Sequence, residues 1–226
     1  MLKLTLAALA FVAAHFLIAA PPIRSWLVGR LGERLYAGLF SAQALALLVW
    51  LAFAFQAAPR DRLLWAIPGI AHLALAVMPL VLVLAVGGFT APNPTAVMTP
   101  APGAAWQPRG ILTVTRHPVM WAFGLWALLH VLANGDLAAL IFFGAFALLA
   151  LAGTLAIDAK KRRSWAPESW QAFTAQTSNL PFLAIAQGRT RLDRKGIGWK
   201  TIAIAAALYL AIVFWLHPKI IGAPLF

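Results

Sequence analysis

The chain contains no cysteine and only six acidic residues among its 226. The first absence excludes disulfides, Cys-ligated zinc, iron–sulfur clusters and thiolate-ligated haem. Charge of either sign is scarce, at 11% of residues against roughly a quarter in an ordinary soluble domain, which excludes a soluble globular enzyme and a disordered tail. What fills the chain is apolar: 62% of residues are hydrophobic and the mean hydropathy is +0.84. The 18 Lys and Arg give a formal net charge of +12. In a soluble chain that excess would raise the question of nucleic acid. Here the basic residues sit between apolar runs, so a lipid bilayer is the expected partner and nucleic acid is not.

A membrane-crossing helix needs roughly 17–25 mostly apolar residues. Six segments meet or approach this: Leu2–Ala20, Tyr36–Ala57, Trp65–Gly88, Ile111–Ala133, Leu137–Ile157 and Thr201–His217. The expected fold class is therefore all-α, an integral membrane bundle of about six transmembrane helices forming a single domain over residues 1–226. Pro21 and Pro22 end the first span, Pro218 follows the last, and Pro79 predicts a kink inside the third. Pro118 marks where the fourth straightens, leaving Ile111–His117 as an interfacial lead-in. The first segment reads as a span and not as a cleaved signal peptide, because it carries one lysine, a long apolar stretch and a histidine.

The tails and loops can be numbered alternately from outside. On that count 14 basic residues fall inside and four outside (Lys3, Arg60, Arg62 and Lys219), so both termini are expected on the outer face. Phe89–Gly110 holds five prolines and reads as an irregular inner loop. Asp158–Lys200 is polar and basic and carries Trp165, Trp170, Phe173 and Trp199. That mixture suits an anionic lipid surface or a solvated inner loop.

Of five histidines, His15, His72 and His130 lie within apolar runs. An imidazole at membrane depth is costly and faces the bundle interior with a partner. One partner is another helix, through a hydrogen bond. Another is haem iron, clamped by neutral imidazoles from two helices. Zinc fits less well, since no histidine pair has i,i+4 spacing and no Cys or Glu stands near. His117 and His130 are 13 residues apart, about 140° around a regular helix, so they need different roles. Arg116 and His117, followed by Pro118, form an interfacial pair able to hold a carboxylate, a phosphate or a haem propionate.

Thr113 to Met120 reads TVTRHPVM, and Trp126 to Gly135 reads WALLHVLANG. The two together resemble the signature of the NnrU family and of its plant relative, 15-cis-zeta-carotene isomerase. His15, the run Gly32, Glu33, Arg34 with Tyr36, and Pro68, Gly69 with His72 are similar to that family's pattern as well. So are Thr177 and Ser178, Pro181 and Phe182, Gly188 and Arg189, and His217 with Pro218. The likeness runs over about residues 10 to 226. It implies an integral membrane protein with haem b, its iron held by His15 and His130. It also implies conversion of a cis double bond of a hydrophobic polyene to trans without net redox change. Arg116 and His117 would orient propionates or move a proton. Bacterial members are linked with nitrogen-oxide respiration, so the implied location is a bacterial inner membrane with both termini periplasmic. Ala127 stands where the isomerase has a cysteine, and Phe16 where the family has a serine.

Residue counting adds a rival. His15 is about 13 residues, or ~20 Å, from the outer face, whereas His130 and His72 both lie near it. Depth therefore pairs His130 with His72, and the likeness pairs it with His15. Two further functions stay open: an accessory protein of nitrogen-oxide respiration without turnover, and a membrane methyltransferase. The latter follows from a likeness of the Arg116–Pro118 run and its basic sequel to the isoprenylcysteine carboxyl methyltransferase group, whose paired glutamates are missing here.

Overall fold

The computed structural model describes residues 1–96, 99–103 and 105–222, with only the backbone of residues 220 and 221. Val97, Met98 and Ala104 of the expected Phe89–Gly110 loop, and the last four residues of the expected domain, lie outside the described residues. Helices dominate and no strand occurs among the described residues. Five helices are long and apolar enough to cross a membrane: α1 Leu2–Ala19, α3 Glu33–Gln56, α4 Ile70–Thr90, α6 Leu137–Ser164 and α10 Trp199–Ala211, the last prolonged to Lys219 by a π-helical stretch. A sixth apolar helix, α5 Pro118–Asn134, is shorter at 17 residues. Shorter still are α2 Pro21–Leu31, α7 Pro167–Gln176, α8 Leu183–Ala186 and α9 Arg194–Ile197. The chain is thus an all-α membrane bundle.

Local sequence explains where several helices begin and end. The Pro21–Pro22 pair does more than end α1: with Ala20 extended at ψ 137°, it occupies the first turn of α2, where a missing N–H costs nothing. α4 starts at Ile70 and not at Trp65. The preceding residues are drawn into the α5–α6 turn, where Leu64 N–H donates to the Gly135 carbonyl at 2.9 Å and Leu137 N–H to the Arg62 carbonyl at 3.0 Å. Gly135 has φ +69°, and a Cβ there would collide with the Trp65 carbonyl, so only glycine closes this turn. Before α5, Gly110–Thr113 forms a 3₁₀ turn and the helix begins at Pro118, which excludes its predecessor from helical backbone. α6 runs seven residues past Ile157 to Ser164, its last turn holding Lys161, Arg162 and Arg163, whose charge suits a helix C-terminus.

Two compact units can be distinguished within the chain. The first comprises Met1–Pro68 and Ala127–Leu149; the second comprises Gly69–Trp126 and Ala150–Phe226. In the first, Leu4, Ala7, Ala8 and Phe11 of α1 pack with Leu51 of α3 and with Ala138 and Ala145 of α6. Small residues let these backbones approach closely, which is how helices associate where lipid removes the hydrophobic incentive. In the second, Gly88 of α4 does the same: a Cβ there would lie 2.7 Å from Val119, at the start of α5.

Candidate functional site

The first unit holds His15 and His130. His15 lies half-buried near the C-terminal end of α1, one turn after Phe11. Its Nδ1 stands 2.7 Å from the Phe11 carbonyl oxygen. A carbonyl can only accept, so Nδ1 carries a proton and donates. Phe11 and Phe40 grip the ring edgewise, at centroid distances of 4.6 and 5.7 Å. His130, half-buried on α5, lies against Phe143 of α6 at 4.7 Å.

Phenylalanine rings connect the two histidines in a continuous relay. From the His15 side, Phe11 meets Phe146 at 5.3 Å, Phe146 meets Phe142 at 5.2 Å and Phe142 meets Phe143 at 5.0 Å. The imidazoles therefore cap the two ends of an aromatic file. α3 marks their spacing: Phe40 touches His15, while Phe55, 15 residues on, touches Phe143, the neighbour of His130.

The second unit holds the other expected residues. Arg116 and His117 sit just ahead of Pro118 and converge on one carboxylate, Asp158 of α6. Arg116 Nε donates to both Asp158 oxygens at 3.0 and 3.1 Å, and its Nη2 donates to Oδ2 at 2.5 Å. His117 Nε2 donates to Oδ1 at 2.7 Å. The side chains are only 12% (Arg116), 14% (Asp158) and 1% (His117) exposed. Hydrogen bonds to a fully engaged carboxylate are charge-assisted and short. Arg116 keeps one terminal nitrogen, Nη1, outside this clamp.

Backbone bonds fix the pair from several directions. Arg116 N–H donates to the Ser178 carbonyl at 2.9 Å, and its carbonyl accepts from Asn93 Nδ2 at 3.1 Å and Thr95 Oγ1 at 3.0 Å. Buried Thr115 donates to the Asn179 carbonyl at 2.5 Å. Trp170 of α7 lies 5.8 Å from the Arg116 guanidinium, within cation–π range. One turn after Asp158, the Lys161 ammonium donates to the carbonyls of Pro94, Ala96 and Thr99 at 2.9–3.1 Å, tying the loop that follows α4 to α6.

The structure thus brings Arg116 and His117 together and shows the carboxylate that pairs them. It links His15 with His130 through a file of phenylalanines. His72 stands exposed in the first turn of α4, in the second unit. Among the described residues, no group of three or more His, Asp or Glu is arranged to hold a metal. In the sequence Asp158 stood out only as the start of the polar, basic segment Asp158–Lys200. With six acids in the chain and an Arg–His pair near the same membrane face, its scarcity was the available signal.

A family model described as NnrU protein matches residues 3–225, nearly the whole chain. The protein belongs to the NnrU family. No curated protein and no solved structure matches it.

Proposed function

For this member of the NnrU family we propose a haem b-binding integral membrane protein that isomerises a cis double bond of a hydrophobic polyene to trans. The observation that carries the proposal is the hydrogen bond from His15 Nδ1 to the Phe11 carbonyl. Iron-ligating histidines nearly always donate their second ring nitrogen to a carbonyl or carboxylate, which fixes the tautomer and aims the lone pair. His15 is prepared in that way inside an apolar bundle. The donor chemistry of His15 and His130, neutral imidazoles among phenyl rings, fits haem iron.

Their spacing adds a condition. Shared ligation brings two imidazole nitrogens to about 2 Å from one iron. Phe11, Phe146, Phe142 and Phe143 now link the two rings, so a shared iron requires this file to part. His15 and His130, both of the first unit, would hold the haem, and residue counting offers His72 as the rival to His15. When bound, haem iron would supply the electronic access that lets a C=C bond rotate without net redox change.

The chain's own residues would do the rest. Phe11 and Phe40 hold the His15 ring and keep water from it. Arg116, with Nη1 outside the Asp158 clamp, has capacity for one further acid group. His117 and Asp158 form a proton-holding pair at 2.7 Å. The test is chromatography of a cis-carotene incubated with purified, haem-loaded, reduced protein. Trans product that depends on His15 supports the isomerase. Haem binding without any conversion assigns the protein to the accessory role in nitrogen-oxide respiration.

A further inference from the structure

Gln43 of α3 is the one side chain whose buried nitrogen and oxygen both lack a hydrogen-bond partner among the described residues. It lines an apolar groove of about 190 Å³ with Ile18, Leu31, Tyr36, Leu39 and Phe40. Two stacked rings, Tyr36 and Phe40, at 6.1 Å and 27°, make one flat wall. The Tyr36 hydroxyl is already spent on the Ile18 carbonyl at 3.2 Å. The groove therefore offers a single polar handle, the amide of Gln43.

Depth restricts what that handle serves. The polar boundary is marked by the Arg24–Glu33 ion pair. Gln43 lies ten residues further along α3, about 15 Å by helical rise, which is the middle of a hydrocarbon layer of roughly 30 Å. An unpaired amide there is costly, because lipid tails offer no hydrogen bonds. Phospholipid ester groups stay at the interface and do not reach this level. A bridging water needs two to four polar partners and would find one residue. The groove, about 190 Å³, is too small to admit the helix of a second copy, about 10 Å wide. A tetrapyrrole is too large for the space. One six-membered ring is not: an apolar cavity of about 150 Å³ holds benzene.

We infer that this groove binds the ring of a membrane quinone, with the Gln43 amide as its hydrogen-bond partner. An amide serves both redox states: Nε2–H donates to a quinone carbonyl, and Oε1 accepts from a quinol hydroxyl. Tyr36 and Phe40 supply the stacking face, and the apolar tail leaves past exposed Leu39 into lipid. Because the amide makes no bond where it rests, turning it into the groove breaks none. The site does not depend on haem.

The full-length protein in dioleoylphosphatidylcholine nanodiscs is titrated with decylubiquinone, and with decylbenzene as the oxygen-free control. Gln43→Leu keeps the volume and removes the amide, and Gln43→Met is the second, unbranched variant. The expected result is decylubiquinone binding at least about tenfold weaker in both variants than in wild type, with decylbenzene binding all three alike. Leu39→Trp, which fills the groove, abolishes both. Failure of wild type to bind decylubiquinone overturns the inference, as does binding within about twofold in all forms. Stabilisation of wild type over Gln43→Leu by added phospholipid alone, with quinone adding nothing, also overturns it and gives the amide to a lipid carbonyl.

Discussion

His15 and His117 are the same side chain in opposite surroundings. His15 is held by one backbone carbonyl and two phenyl rings. His117 is held by a carboxylate that also takes three hydrogen bonds from Arg116. The first arrangement leaves a ring nitrogen open to a soft, neutral ligand role. The second spends the ring on a buried ion cluster and makes it part of the architecture. Position along an apolar helix therefore says less about a histidine's role than the partner of its second nitrogen.

The comparison breaks most visibly at Asp158. Asp158→Ala strands the Arg116 guanidinium, 12% exposed, without its counter-charge. A cost of about 3–5 kcal/mol is expected for removing one partner of a buried pair. It would be read as a large fall in the thermal unfolding midpoint in detergent, with Asp158→Glu recovering part. An effect near that of a surface ion pair, under about 1 kcal/mol, would mean the cluster is not structural.

Lys161→Met comes next. It removes the donor shared by the carbonyls of Pro94, Ala96 and Thr99 while keeping the stem. About 2 kcal/mol is expected from the loss of charge-assisted bonds. The sharper readout is limited proteolysis: the loop following α4 becomes cleavable while α6 stays protected. Unchanged protection would show that the Asn93 and Thr95 bonds to the Arg116 carbonyl suffice alone.

The smallest effect is at Asp193, between α8 and α9. Backbone N–H groups of Gly110 and Gly196, donating at 2.9 and 2.8 Å, hold its carboxyl below the usual carboxylate range. A depressed folded-state pKa gives stability that is fully present above the unfolded value of about 3.9 and is lost as pH falls through the folded one. Asp193→Asn should slightly lower stability at neutral pH and flatten the acid limb of a stability–pH curve. A variant curve parallel to wild type down to pH about 3 would contradict that assignment.

The bundle was legible in the sequence because its spans are long apolar runs bounded by proline, a signal that needs no tertiary information. Pro118 as the start of the straight part of α5 was legible for the same reason. The start of α4 was not, since Trp65–Gly69 looks like helix, while Leu64 and Trp65 are claimed by hydrogen bonds to a turn some 70 residues later. The site was legible in its residue types and only partly in its arrangement. Arg116 and His117 were expected to meet an acid group, and the acid is the chain's own Asp158. The phenylalanine file depends on the register between α1 and α6, which composition does not encode. Gln43 was visible as a polar residue in mid-span, but its lack of a partner is a property of three packed helices and not of α3 alone.

The central claim is that His15 is prepared to bind iron. Its most direct test is the absorption spectrum, oxidised and dithionite-reduced, of detergent-purified protein from haem-supplemented cells, for wild type beside His15→Ala, His130→Ala and His72→Ala. The account predicts a b-type spectrum in wild type that His15→Ala abolishes or converts to a different ligation state. A second change at His130→Ala would show that the phenylalanine file parts, and one at His72→Ala would favour the rival. A colourless wild-type preparation, or a spectrum that His15→Ala leaves unaltered, would contradict the account.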